Sequence, residues 1–164
     1  YSVYSGDYSP GWQALGWENT VVSQVQEKRT AHKNNLNKNI HVVTSEKFGR
    51  LYLAATSFKT AEQGIESLKI SLRIVDSEAT DNQLSVALYT PDGNPIGSVF
   101  AADYVKGKRL SVGTWYEIKI PIADLHAIDQ IIGAVVVEIA HPATFEVSAI
   151  SFGKVATPLK ANLK

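Results

Sequence analysis

The sequence predicts an all-β sandwich of the jelly-roll type, and three observations lead there. Apolar and polar residues alternate with a period of two in several separate runs. Turn-forming residues punctuate those runs at regular intervals, which divides the chain into about ten short strands. No segment carries the periodicity of an amphipathic helix, apart from one short turn at Ala123–Ile128.

The elements follow in chain order. Glu27–Asn39 is the most polar stretch, with Lys33, Asn34, Asn35, Asn37, Lys38 and Asn39 crowded together, and reads as an exposed loop between strands. Leu68, Ile70, Leu72 and Ile74 alternate with Lys69, Ser71, Arg73 and Val75. One face of that strand enters a core and the other meets solvent. Leu84, Val86 and Leu88 alternate in the same way with Gln83, Ser85, Ala87 and Tyr89. In Thr90-Pro91-Asp92-Gly93-Asn94-Pro95, proline presets φ and Gly93 supplies a positive φ, so the chain turns there into a strand over Ile96–Val105. Val112-Gly113-Thr114 and His141-Pro142-Ala143 are further turns. Tyr116, Ile118, Ile120 and Ile122 alternate with Glu117, Lys119 and Pro121. Ile131–Ala140 is nearly all apolar and rich in valine, the signature of a central strand buried on both faces.

Composition narrows the function classes. The 164 residues suit one domain, read as 1–155, with Ala156–Lys164 as a tail or linker remnant. A 45% hydrophobic and 20% charged composition is that of an ordinary globular chain with no membrane-length apolar run. Sixteen basic residues balance sixteen acidic ones, so no electrostatic footprint points to nucleic acid or an anionic membrane. The absence of cysteine excludes a disulfide scaffold and a thiolate metal site. The absence of methionine, with Tyr1 as the first residue, reads as a domain cut from a longer or processed polypeptide.

Three segments carry a family resemblance. The first is Val3-Tyr4-Ser5-Gly6-Asp7 with Gly11-Trp12-Gln13 and Gly16-Trp17. The second is Gly49-Arg50-Leu51-Tyr52-Leu53. The third is Gly113-Thr114-Trp115-Tyr116-Glu117-Ile118-Lys119-Ile120-Pro121-Ile122, closed by Phe145–Phe152. In this order they resemble the jelly-roll carbohydrate-binding modules of bacterial extracellular glycoside hydrolases, within the galactose-binding-like group. The resemblance covers Val3–Val155. It implies a polysaccharide or oligosaccharide ligand, a covalently linked catalytic domain, and a secreted or cell-surface location. Related modules hold a structural calcium ion with an acidic residue of the last strand. Here that stretch offers Ser148 and Ser151, with Glu146 alone acidic, so no cofactor is expected to be required; the alternative is a structural calcium ion held by Asp7, backbone carbonyls and Glu146.

Sugar recognition needs flat apolar faces for the C–H surface of a pyranose and polar groups for its hydroxyls. Tyr52 shares parity with Arg50, and Tyr89 shares parity with Gln83 and Ser85, so both rings are expected on polar strand faces. Trp17 lies in a glycine-flanked loop beside Glu18 and Asn19. Glu138 interrupts Val135-Val136-Val137 and Ile139, where a carboxylate must be paired or hydrogen-bonded. Its alternatives are a sugar-binding role or an ion pair with Arg50, Arg73 or a lysine. The expected site is therefore Trp17, Arg50, Tyr52, Gln83, Tyr89 and Glu138. Trp12 reads as a core plug and Trp115 as a packing residue.

Enzyme chemistry finds little support. His32, His41, His126 and His141 are scattered without metal-ligand spacing. No nucleophile elbow, phosphate loop or dinucleotide fingerprint is present. Asp76, Glu78 and Asp81 read as a solvated turn, with calcium ligation as the alternative. The expected function is a non-catalytic module that targets an appended enzyme to polysaccharide. The alternative is a structural or adhesion sandwich of a cell-surface protein.

Overall fold

The computed structural model describes residues 1–16, 19–26, 38–60, 64–77, 79–80 and 83–154. In chain order its strands are β1 (Ser2–Ser5), β2 (Trp12–Leu15), β3 (Thr20–Gln26), β4 (Lys38–Thr44), β5 (Gly49–Lys59), β6 (Ile65–Ile74), β7 (Ala79–Thr80), β8 (Leu84–Tyr89), β9 (Pro95–Phe100), β10 (Arg109–Leu110), β11 (Tyr116–Pro121), β12 (Ile131–Ile139) and β13 (Thr144–Lys154). Two 3-10 turns, Ala101–Tyr104 and Ile122–Leu125, join strands at one end.

Two antiparallel sheets make the sandwich. One runs β11-β6-β13-β4-β3, with β1 added beside β13, and the other runs β2-β5-β12-β8-β9. β7 and β10 form a small separate ribbon. β13 is long enough to serve two partners along one side. β4 pairs with its first part, Thr144–Val147, and β1 pairs with Ala149–Ser151. The register shift between Val147 and Ala149 falls where one partner gives way to the other.

The period-two reading holds in the core. Leu68, Ile70, Leu72 and Ile74 of β6, Leu84, Val86 and Leu88 of β8, and Ile118 and Ile120 of β11 are all buried between the sheets. Phe145, Val147, Ile150 and Phe152 of β13 pack against Leu51, Leu53, Val135 and Val137 from the opposite sheet. Trp12 is partly buried against this core, with its ring 6.4 Å from that of Phe152, as a core plug should be. β12 lies at the middle of its sheet between β5 and β8 and is buried continuously from Ile132 to Val137, as its composition implies.

Two boundaries differ from the sequence reading. The strand expected over Ile96–Val105 ends at Phe100, where Ala101–Tyr104 form a 3-10 turn with both alanines buried. Lys38 and Asn39, expected in a loop, open β4, with Asn39 buried. The rest of that polar segment, residues 27–37, and the expected tail, 156–164, lie outside the described residues. Among the described residues no helix is long and apolar enough to cross a membrane.

The second 3-10 turn packs on β9 at Gly97, where any Cβ would collide with the backbone carbonyl of Leu125. The two turns are tied together by Tyr104, whose hydroxyl donates to Asp124 Oδ2 at 2.6 Å. Burial first, and then this hydrogen bond to a carboxylate, push the Tyr104 phenol up to about 12. A phenol raised in the folded state contributes stability that is complete below its ordinary value of 10.0 and is lost as pH rises through about 12. Spectrophotometric titration of the folded protein should show a tyrosine ionising near that upper value, and Tyr104→Phe should remove that step. An unchanged titration curve for Tyr104→Phe would contradict the Tyr104–Asp124 bond.

Candidate functional site

Strand register sets out the outer face of the five-stranded sheet in rows. Arg50 of β5 lies opposite Glu138 of β12, which lies opposite Ser85 of β8, which lies opposite Phe100 of β9. The next row is Leu15, Tyr52, Val136, Ala87 and Ser98. The third is Gln13, Ala54, Ala134 and Tyr89. The residues between these positions fill the core, so all three rows face away from it.

The middle of this face is an apolar floor with two rings on it. Ala87, Ala134 and Val136 are 8%, 0% and 2% exposed although they point away from the core. Tyr52 and Tyr89 pack over them and meet edge to face, with ring centroids 5.9 Å apart. Each tyrosine remains partly exposed, so each presents ring surface to solvent above a filled floor.

One row away stands an ion pair. Arg50 Nη2 donates to Glu138 Oε2 at 2.6 Å, and the two side chains are 23% and 27% exposed. Of the two alternatives for Glu138, the ion pair with Arg50 is the one observed, and it stands on the tyrosine-bearing face. Gln83 precedes β8 with the parity of Ser85, and its backbone carbonyl accepts the Ala140 N–H at 2.7 Å. Register therefore brings Arg50, Tyr52, Tyr89 and Glu138 onto one surface, with Gln83 at its end. Trp17 lies outside the described residues.

Sequence reasoning missed Leu15 and Phe100, which are 42% and 43% exposed and flank the face on its two sides. Gln13 in the Tyr89 row was missed as well. The alternation of Phe100 with Val99 was a usable signal, but reading the strand through to Val105 hid its terminal position.

The outer face of the six-stranded sheet is built differently. Glu146 of β13 is 6% exposed, and both its oxygens are occupied. Arg73 Nε and Nη2 donate to Oε1 at 3.1 and 2.8 Å, and His41 Nδ1 lies 2.7 Å from Oε2. The Arg73 guanidinium sits over the Trp115 ring, 4.9 Å from its centroid, which makes Trp115 a packing residue.

Glu146 is thereby not placed to hold a calcium ion. A cation at Glu146 would stand against the arginine that already holds the carboxylate. Asp7 Oδ1 accepts the Tyr8 N–H at 2.9 Å and a Gln24 amide bond at 3.3 Å. Asp76 Oδ1 accepts the Thr144 N–H at 2.8 Å, while Glu78 and Asp81 lie outside the described residues. Among the described residues no group of three or more His, Cys, Asp or Glu is placed to hold a metal.

Comparison with known proteins bears on the fold. No protein-family model matches the sequence, and a search of curated proteins finds no match. Solved structures do match. The extra C-terminal domain of an exo-1,3/1,4-β-glucanase from a Pseudoalteromonas species aligns at 10% identity over 96% of this chain and 94% of that one, with a TM-score of 0.63. This chain has the same fold. The family 30 carbohydrate-binding module of the Clostridium thermocellum cellulosomal cellulase Cel9D-Cel44B aligns at 12% identity over 93% and 96%, with a TM-score of 0.61. The family 11 module from Clostridium thermocellum, in complex with a β-1,3-1,4-mixed-linked tetrasaccharide, aligns at 13% identity over 94% and 95%, with a TM-score of 0.54. The jelly-roll sandwich is thus a fold shared with carbohydrate-binding modules.

The Glu146 network makes a stability prediction. Arg73→Met removes two charge-assisted hydrogen bonds from a nearly buried carboxylate and leaves it to His41, which should cost about 2 kcal/mol. Denaturant unfolding checks it, and an unchanged midpoint would contradict a structural role for the network.

Proposed function

We propose that this chain is a non-catalytic carbohydrate-binding module that holds polysaccharide on the outer face of its five-stranded sheet. The observation that carries the proposal is the pair of tyrosine rings lying on the floor of Ala87, Ala134 and Val136, one row from the Arg50–Glu138 ion pair. The C–H face of a pyranose stacks on the exposed ring surface. Arg50 and Glu138 offer a donor and an acceptor to the sugar hydroxyls, with Ser85 and Gln83 beyond them. The ion pair holds both groups in place before any ligand arrives, which lowers the ordering cost of binding.

A non-catalytic role is supported by where the sheet-face carboxylates lie. A glycosidase works with two carboxyl groups across one glycosidic bond. Glu138 is ion-paired with Arg50, and the three rows of the tyrosine face carry no second carboxylate. The reading needs no cofactor. The module would act in a secreted or cell-surface protein, linked to a catalytic domain whose effective substrate concentration it raises.

Affinity electrophoresis in gels containing β-1,3-1,4-glucan, β-1,3-glucan, xyloglucan, galactomannan or polygalacturonate tests the proposal. At least one polysaccharide should retard the protein. Tyr52→Leu and Tyr89→Leu keep an apolar cover over the floor but lose the flat ring. Each should weaken binding roughly ten- to a hundredfold, from a stacking loss of about 1.5–3 kcal/mol. Their unfolding midpoints should stay close to that of the parent protein. Full retardation of both variants would place binding elsewhere.

A further inference from the structure

The tyrosine face does not end at Tyr89. Beyond it, along β12 toward Ile131, the outer face opens into a cavity of about 610 Å³. Pro91 and Ile131 line it with apolar surface, and its charged and amide groups are Lys59, Asp92, Asp129 and Gln130. Ile131 is paired with Lys59 across β12 and β5, and Tyr89 is followed directly by the turn that carries Pro91 and Asp92. The cavity is therefore the next stretch of the same face.

Both walls are tied down. In the turn, Thr90 N–H donates to the Asn94 carbonyl at 2.8 Å, Gly93 N–H donates to the Thr90 carbonyl at 3.0 Å, and Asn94 N–H donates to Thr90 Oγ1 at 3.1 Å. Opposite, the buried Thr60 hydroxyl donates to the Ala127 carbonyl at 2.6 Å and accepts the Gln130 N–H at 3.1 Å. Gly133 lets the turn close on β12, since a Cβ there would collide with the Pro91 backbone. The pocket is thus preformed and lies within the size range of small-ligand sites.

We infer that this pocket is a further sugar subsite, taking one end of a neutral oligosaccharide whose other residues lie on Tyr52 and Tyr89. The inference rests on the proposed platform. Two carboxylates accept hydrogen bonds from sugar hydroxyls, while the Gln130 amide and the Lys59 ammonium donate. With two carboxylates to one ammonium, the pocket repels a uronate and suits a neutral sugar.

The test uses oligosaccharides of increasing length, cut from whichever neutral polysaccharide of the gel panel retards the parent protein most, and titration calorimetry. Asp92→Ala lies in an exposed turn. Asp129 holds a positive φ of 59°, so Asp129→Gly removes the carboxylate without straining the backbone. Gln130→Ala, at an exposed side chain, gives an independent third reading. Short oligosaccharides should bind these variants as they bind the parent. The gain in affinity on reaching the length that enters the pocket should fall by about tenfold, the value of one or two lost hydrogen bonds. If Tyr52→Leu weakens every length but the pocket variants weaken none, the pocket is no subsite and the platform stands. If neither set has any effect, or no polysaccharide of the panel is bound, the platform falls and the pocket with it. Tighter retention on polygalacturonate than on the neutral polymers would overturn the neutral ligand class.

Discussion

The constraint on which this face depends is that β12 is apolar on both sides. Its inner residues, Val135 and Val137, are covered by the second sheet. Its outer residues, Ala134 and Val136, have no sheet above them and are nevertheless withdrawn from water. Leaving them bare would forfeit burial worth about 1.5–3 kcal/mol for a valine alone. The neighbouring strands supply the cover from Tyr52 on one side and Tyr89 on the other. Leucine would cover the floor equally well. Tyrosine covers it with a flat ring that stays partly exposed, so one arrangement completes the sheet and supports the proposed stacking surface.

The two outer faces use similar groups to opposite ends. On the six-stranded sheet, Glu146 is nearly buried, holds Arg73 through two nitrogens, and contacts His41, and Arg73 in turn covers Trp115. Acceptor, donor and aromatic are spent on one another. On the five-stranded sheet, Glu138 accepts a bond from Arg50 through one oxygen, and both side chains stay about a quarter exposed. Tyr52 lies one row away and Tyr89 two. This difference in exposure, more than the presence of aromatic rings, supports the five-stranded face as the proposed binding surface.

Alternation within single strands was legible in the sequence. The sides taken by Leu84, Val86 and Leu88 and by Ser85, Ala87 and Tyr89 follow from a period of two, and register confirms them. Adjacency between strands was not legible. Arg50 and Glu138 meet across 88 positions, and nothing local to either residue announces the other. The same holds for the turn after Tyr89 and the loop before β12, which make a pocket only because β8 and β12 are neighbours. The end of β9 was hidden for another reason. Ala101 and Ala102 are small and apolar, compatible with either a strand or a tight turn, and the turn is closed by the Val105 N–H, which donates to the Ala102 carbonyl.

The claim that sugar sits on the tyrosine face is tested most directly by nuclear magnetic resonance of the methyl groups beneath the rings. Ala87, Ala134 and Val136 lie under Tyr52 and Tyr89, while Val21 and Val43 pair on the outer side of the six-stranded sheet. Titration with an oligosaccharide cut from the retained polysaccharide should shift the three methyl-bearing residues of the floor and leave Val21 and Val43 unmoved. Shifts at Val21 and Val43 with a silent floor would contradict the account.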